Sequence, residues 1–220
     1  MIELPSPYPK ELQHEAPILQ WDIDKEIKIR NKKVSTKNDF LQLLKTRRTR
    51  REFKSVHLND VGELLYLSNR TLFRENSSGL TTEKRPVISA GGLHCVEILV
   101  SPANDSYLYR YNSISHSFER LTSYSTSKIR QVINQFFPTG KHASAIWYVG
   151  DITKASGKYE HPESLIWRDA GAILSTHSLV SEHLNLAFSP LGVTLQAHAE
   201  KLSNERILMC LGIALIGSRV

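Results

Sequence analysis

Cysteine is scarce in this chain, and its two copies, Cys95 and Cys210, each sit alone in an apolar run, H-C-V-E-I-L-V and I-L-M-C-L-G-I. Two cysteines this far apart make no zinc-ligand pattern, and the expectation is a pair of buried reduced thiols. No apolar run approaches bilayer-spanning length, and no apolar stretch near the start reads as a secretory leader; the reading is a soluble, cytoplasmic protein with no membrane contact. Walker A and G-x-G-x-x-G phosphate loops are missing, as are H-E-x-x-H and C-x-x-C. His177 and His183 stand six apart, the wrong spacing for one helix face, so no metal is expected. Ser89 lies in no G-x-S-x-G elbow, which argues against a serine hydrolase. There is no internal repeat and no low-complexity segment.

Charge, by contrast, is plentiful and lopsided. The net charge is +6 with pI about 9.3, and Lys and Arg crowd into Lys25 to Arg51. The densest stretch is Thr46 to Phe53, T-R-R-T-R-R-E-F. Arg47, Arg48, Arg50 and Arg51 cannot be buried without anions. Two readings stand side by side. One is a solvated basic turn at a helix end, where the helix dipole favours cations. The other is a phosphate clamp, since guanidinium forks match phosphate oxygens. A nucleic-acid-binding surface over Lys25 to Arg51 is a third class, but Trp21, Phe40 and Phe53 do not interleave with the basic residues as stacking platforms do.

The 220 residues suit one domain with a substantial core. Residues 1–34 are expected to be an extended arm, with Pro5, Pro7 and Pro9 favouring that path, and 35–220 the folded domain. Ser35-Thr36 can cap a helix from about Asn38 to Thr46, and Asn59-Asp60 opens a second to about Asn69, with Val61, Leu64, Leu65 and Leu67 at helical spacing. Phe73 to Arg85 reads as a loop. Ser89-Ala90-Gly91-Gly92 is a small-residue turn that lets backbone approach a ligand. Tyr107 to Tyr111 and Ser117 to Leu121 read as paired strands turning at Asn112-Ser113. Ser125-Thr126 caps a helix to about Phe137, and Ala143 to Ile152 is a buried strand. A polar loop follows to His161. A long helix then runs from Pro162 to about Ala187, broken by Ser189 to Gly192, with Asn204 to Leu211 a short helix and Ile213 to Gly217 a last strand. The pattern predicts an α+β fold, because the paired strands are too close for a helical crossover.

Lys158-Tyr159, after Gly157, is an ordinary loop dipeptide taken alone, though a lysine beside a tyrosine can supply a base and a proton donor when desolvated.

Taken in order, these motifs resemble the FMN-dependent nitroreductase superfamily, and within it the peptide azoline (thiazoline/oxazoline) dehydrogenases. The family's R-R-S-x-R-x-F stands here as Arg47 to Phe53, its R-P-x-P-S-A-G-G-L-Y-P-L-E as Arg85 to Glu97, its L-Y-x-Y…H pair as Leu108 to Tyr111 and His116, and its K-Y before a helix carrying an arginine and then A-G as Lys158-Tyr159 and Arg168-Asp169-Ala170-Gly171. The resemblance spans about Phe40 to Arg219. It implies a nitroreductase-like fold with a mostly antiparallel central sheet flanked by helices, dimeric, with a long central helix. Arg47, Arg48, Thr49 and Arg51 would hold the FMN phosphate and ribityl chain, with Arg50 on a variable position. Ser89, Ala90 and Gly91 would line the flavin ring, Leu191-Gly192 would lie on its other side, and Arg219 would close the phosphate site. Lys158 would be the catalytic base and Tyr159 its positioner or proton relay. The implied chemistry is dehydrogenation of azolines to azoles in a ribosomally made peptide, with hydride passing to flavin N5 and oxygen reoxidising the flavin. A homodimer, a cyclodehydratase partner and a modified peptide substrate follow from the same resemblance; nucleic acid does not. An NAD(P)H-dependent enzyme acting on small aromatics or quinones would share the flavin site without needing Lys158. Departures from the family pattern are Ile88, His94 and Cys95 around the turn, and Asn185 where the long helix ends.

Overall fold

The computed structural model describes residues 5–30, 40–77 and 79–220. The Ser35-Thr36 cap and the start of the helix expected from Asn38 lie outside the described residues. The strands are β1 (Tyr8–Pro9), β2 (Ile23–Lys28), β3 (Phe73–Ser77), β4 (Leu80–Lys84), β5 (Val96–Ser101), β6 (Tyr107–Asn112), β7 (Ser117–Ser125), β8 (Ser144–Asp151), β9 (Tyr159–Glu160), β10 (Leu186–Leu191) and β11 (Leu208–Ser218). The helices are α1 (Phe40–Thr46), α2 (Leu58–Asn69), α3 (Ser127–Phe136), α4 (Ile152–Ser156), α5 (Glu163–His183) and α6 (Gln196–Ala199).

Seven strands form one sheet in the order β10-β11-β8-β5-β6-β7-β2, with every pairing antiparallel. β8 sits near its centre and is buried along its whole length, which accounts for its unbroken apolar run. Its side chains alternate between two cores. Ile146 and Tyr148 join Leu64, Leu65, Ile166 and Ile173 from α2 and α5 on one face. Ala145, Trp147 and Val149 join Ile129 and Ile133 of α3 on the other. β11 keeps both faces apolar through a bulge at Gly212, whose φ of 127° suits glycine. The bulge flips the phase, so Cys210, Ile213 and Leu215 share one core while Leu211, Ala214 and Ile216 share the other.

A buried polar chain ties α2, α5 and β8 together. His177 Nε2 lies 2.6 Å from Asn69 Oδ1, and its Nδ1 lies 2.8 Å from the Tyr148 hydroxyl. Asn69 offers an acceptor there, so Nε2 carries the proton and Nδ1 receives the tyrosine's.

Several expectations need correction. Phe73 to Arg85 is a hairpin, β3 and β4, not a loop; β3 is exposed on both faces, so it carries no alternation to detect. The segment after β8 holds α4 and β9, because Asp151 Oδ1 accepts from Lys154 N and caps a short helix. α5 stops at His183: Asn185 adopts a left-handed φ of 58°, and Leu186 to Leu191 continues as strand rather than helix. Asn204 to Leu211 is not helical; α6 lies earlier, and β11 begins at Leu208. Thr126 precedes α3 without capping it, its hydroxyl donating instead to Ser106 O at 3.0 Å. Within α3 the buried side chains are Ile129 and Ile133, while Phe136 in its last turn is 57% exposed.

Candidate functional site

The small-residue turn is held from α5. Ser89 Oγ donates to Asp169 Oδ2 at 2.5 Å, and Ala90 N donates to Asp169 Oδ1 at 3.0 Å. His94 N in turn donates to Ser89 Oγ at 2.9 Å. Gly91 and Gly92 take φ of 59° and 68°, backbone that side-chain-bearing residues rarely adopt. Asp169 lies on the stripe of α5 that also carries Ile166, Ala170, Ile173 and His177, so it is a buried acid among apolar residues. Burial pushes its carboxyl up, against the hydrogen bonds from Ser89 and Ala90.

Lys158 and Tyr159, 67 residues beyond Gly91, meet that turn. A Cβ placed on Gly91 would stand 2.5 Å from Tyr159 Oη and 2.8 Å from Lys158 Nζ. Lys158 Nζ lies 3.4 Å from Gly91 O and 5.7 Å from the centre of the Tyr159 ring. Burial, seconded by the Asp169 carboxylate, raises the Tyr159 pKa, so its phenol keeps its proton. Cys95, behind the turn, is a buried thiol pushed up to about 12 by desolvation and is chemically quiet.

The arginine segment is stitched to the other end of the sheet. Arg50 N donates to Phe188 O at 3.1 Å, and Lys54 and Ser218 exchange backbone hydrogen bonds at 2.9 and 3.0 Å. Arg48 turns back on its own helix, donating to the carbonyls of Lys45 and Arg47 at 3.0 Å, the role expected of a cation at a helix C-terminus. Arg50 and Arg219 share Glu182, at 3.3 and 2.9 Å. Arg219 also donates to Leu186 O at 3.3 Å. Thr49 and Arg51 are exposed and, with Arg50, Glu52, Arg219 and Val220, line an open groove of about 360 Å³. Arg47 is half-buried at the end of α1.

Two clusters therefore lie at opposite ends of α5. Asp169 anchors one and Glu182 the other, thirteen residues apart, or about 20 Å along the helix. Leu191 and Gly192 sit at the far end of β10, about 17 Å along the strand from the Leu186 end where Arg219 docks. Leu191 packs on the core of the α3 face, and Gly192 has open space where a Cβ would stand. Asp169 and Glu182 were not singled out from the sequence. Asp169 had a signal: an acid in register with an apolar helical stripe must have partners. Glu182 has none, since its partners lie 132 and 37 positions away. Among the described residues no His, Cys, Asp and Glu cluster suits a metal ion.

No protein-family model matches the sequence, and no curated protein matches it. Solved structures do. A candidate nitroreductase from Ralstonia eutropha superposes with a TM-score of 0.65 at 19% identity, over 97% of this chain and 99% of that one. A chain of the E. coli microcin synthetase McbBCD complex with truncated pro-MccB17 bound gives 0.60 at 16% identity, over 90% of this chain and 79% of its own. A candidate nitroreductase from Desulfovibrio desulfuricans in complex with FMN gives 0.55 at 18% identity, over 84% and 88%. The chain has the nitroreductase fold.

Proposed function

We propose that this chain is an FMN-dependent oxidoreductase that dehydrogenates azoline rings in a ribosomally made peptide. The observation that carries the reading is the meeting of Lys158 Nζ and Tyr159 Oη over Gly91, in a turn that Asp169 holds open. The fold's likeness to a structure in complex with FMN and to the McbBCD complex supports it.

The residues present fit a flavin at both of its ends. The bare, left-handed Gly91 lets Lys158 Nζ and Tyr159 Oη close on the turn beside which a flavin ring would lie, and the open groove with Thr49, Arg51 and Arg219 suits a phosphate. Arg47 and Arg48, next to Thr49 in the chain, would add to the phosphate's contacts, and Leu191-Gly192 would complete the ring's surroundings. Because the two clusters sit at opposite ends of α5, each complete site takes its arginines from one copy of the chain and its Ser89 to Gly91 turn, with Lys158 and Tyr159, from a second. The exposed apolar residues Phe40, Leu44 and Trp167 on α1 and α5 are the surface such a homodimer would cover. A peptide substrate made by a cyclodehydratase fits the same reading.

Bound FMN supplies the hydride acceptor, with oxygen as the terminal oxidant. The chain's own task is the proton. Lys158 Nζ accepts it from the ring carbon adjacent to the one that loses hydride, leaving an aromatic azole. Tyr159, its phenol protonated, donates a hydrogen bond that orients the substrate or the lysine. Asp169 fixes the turn against which both work.

An absorbance spectrum tests the cofactor. Flavin bands absent after reconstitution with FMN sink the proposal. Lys158→Ala tests the chemistry: we expect azoline oxidation to fall about 10²–10⁴-fold with flavin retained. Unchanged turnover would point instead to NAD(P)H-driven reduction of small aromatics or quinones.

A further inference from the structure

The N-terminal arm does not simply lie on the surface. Over Pro7 to Leu19 every third residue is half-buried (Pro7, Lys10, Gln13, Ala16, Leu19), while those between are exposed. That is the period of an extended threefold chain laid along a groove. Its first part pairs with the catalytic segment. Tyr8 stands opposite Glu160 and Pro9 opposite Tyr159. Lys10 N donates to Lys158 O and His14 N to Gly157 O, both at 2.9 Å. Lys10 Nζ reaches Glu160 Oε1 at 3.6 Å, and the Tyr8 and His161 rings meet edge to face. Gly157 faces the His14 carbonyl so closely that no side chain fits between them.

β9 is two residues long and pairs with β1 alone among the described strands. A two-residue ladder has little hold of its own. Without the arm, Lys158 and Tyr159 would be tethered by the end of α4, through Lys158 N to Ala155 O at 3.1 Å, and by their side-chain contacts at Gly91. We infer that residues 8–14 are a positioning strap that holds the Lys158-Tyr159 backbone, and so the amine and phenol, over Gly91. Its relevance to catalysis rests on the function proposed above; the mechanical claim does not.

Backbone donors give a clean test. His14→Pro removes the N–H given to Gly157, whereas His14→Ala keeps it. Gly157→Ala attacks the same contact from the other side. Hydrogen exchange over 157–161, read on the full chain by mass spectrometry, should quicken at least about tenfold in His14→Pro and Gly157→Ala and stay within about twofold in His14→Ala. Exchange in β8 and β11 should be unchanged in all three, which separates strap release from general unfolding. FMN affinity, read by quenching of flavin fluorescence, should hold within about threefold, while kcat for a thiazoline peptide falls about tenfold in His14→Pro and is restored in His14→Ala. Unchanged exchange over 157–161 in both His14→Pro and Gly157→Ala overturns the strap. Faster exchange with no loss of kcat, in protein whose turnover depends on Lys158, overturns its positioning role. A chain that binds no FMN, or whose Lys158→Ala variant keeps full turnover, defeats the functional proposal and leaves the exchange result to stand.

Discussion

Side chains of one type do different jobs in this chain according to what they touch, and the arginines show it best. Arg50 and Arg219, though they border the groove, converge on Glu182, whose side chain is only 8% exposed, whereas Arg51 is exposed on the groove's rim. Arg50→Ala should therefore cost stability, about 1 kcal/mol in urea unfolding, and leave flavin affinity alone. Arg47→Ala should do the reverse and release FMN, an outcome read by titrating flavin into each variant. Equal effects of the two on flavin binding would refute this division. Asp169 offers a second contrast. Asp169→Asn keeps the volume but replaces a double acceptor with a group that can accept only through one oxygen, while Ser89 Oγ and Ala90 N both point at it. We expect the turn to loosen, with flavin affinity down at least about tenfold and the global melting temperature little changed.

At the scale of elements, the end of α5 decides where the sheet gains its edge strand. Asn185 takes a left-handed conformation that glycine would adopt at no cost, so Asn185→Gly should be neutral or stabilising. Asn185→Ala should lose about 1 kcal/mol, measured by thermal unfolding. That residue also explains one failure of sequence reading. From Leu179 to Phe188 apolar residues recur with no glycine or proline between them, and only the backbone shows where helix gives way to strand. The hairpin of β3 and β4 escaped for the opposite reason, having hardly any buried face. By contrast α2, α3, β6, β7 and β8 were legible, because each buries one clear face or both. For the site, the sequence brought forward the Ser89 turn and Lys158-Tyr159 as separate motifs; their contact across 67 residues, and the acids Asp169 and Glu182 that organise the two clusters, exist only in three dimensions. The arm's pairing with β9 was illegible too, since backbone-to-backbone bonds leave no mark on residue choice.

For the whole molecule, acid is the revealing stress. His94 and His116 have pKa values lowered to about 4, and His177 to about 3, each chiefly by burial. The folded chain thus keeps them neutral below their ordinary value of 6.5, while the unfolded chain protonates them. Stability conferred by these groups is complete above about pH 6.5 and declines as pH falls towards 4, by up to about 1.4 kcal/mol per pH unit for each histidine. Asp151 and Asp169, with raised values, titrate the other way and soften the slope. Glu83 and Glu97, whose values are lowered by Arg85 and Arg110 against the burial that raises them, add their loss only below about 4.5, the unfolded glutamate range. Urea midpoints measured from pH 7 to 4.5 should therefore fall, and His177→Gln should flatten the fall. A flat profile in the parent chain would contradict the buried neutral histidines.

The distance along α5 between Asp169 and Glu182 has a genetic reading. If each flavin site draws its arginines from one copy and its lysine from the other, two separately dead proteins can repair one another. Arg47→Ala and Lys158→Ala, each inactive as a pure homodimer, would assort at random when co-expressed in equal amounts. Half of the dimers would then be mixed, each with one intact and one doubly broken site, so about a quarter of all sites would regain turnover. Complementation of that size would mark shared sites, and its complete absence would place both halves of the chemistry within a single chain.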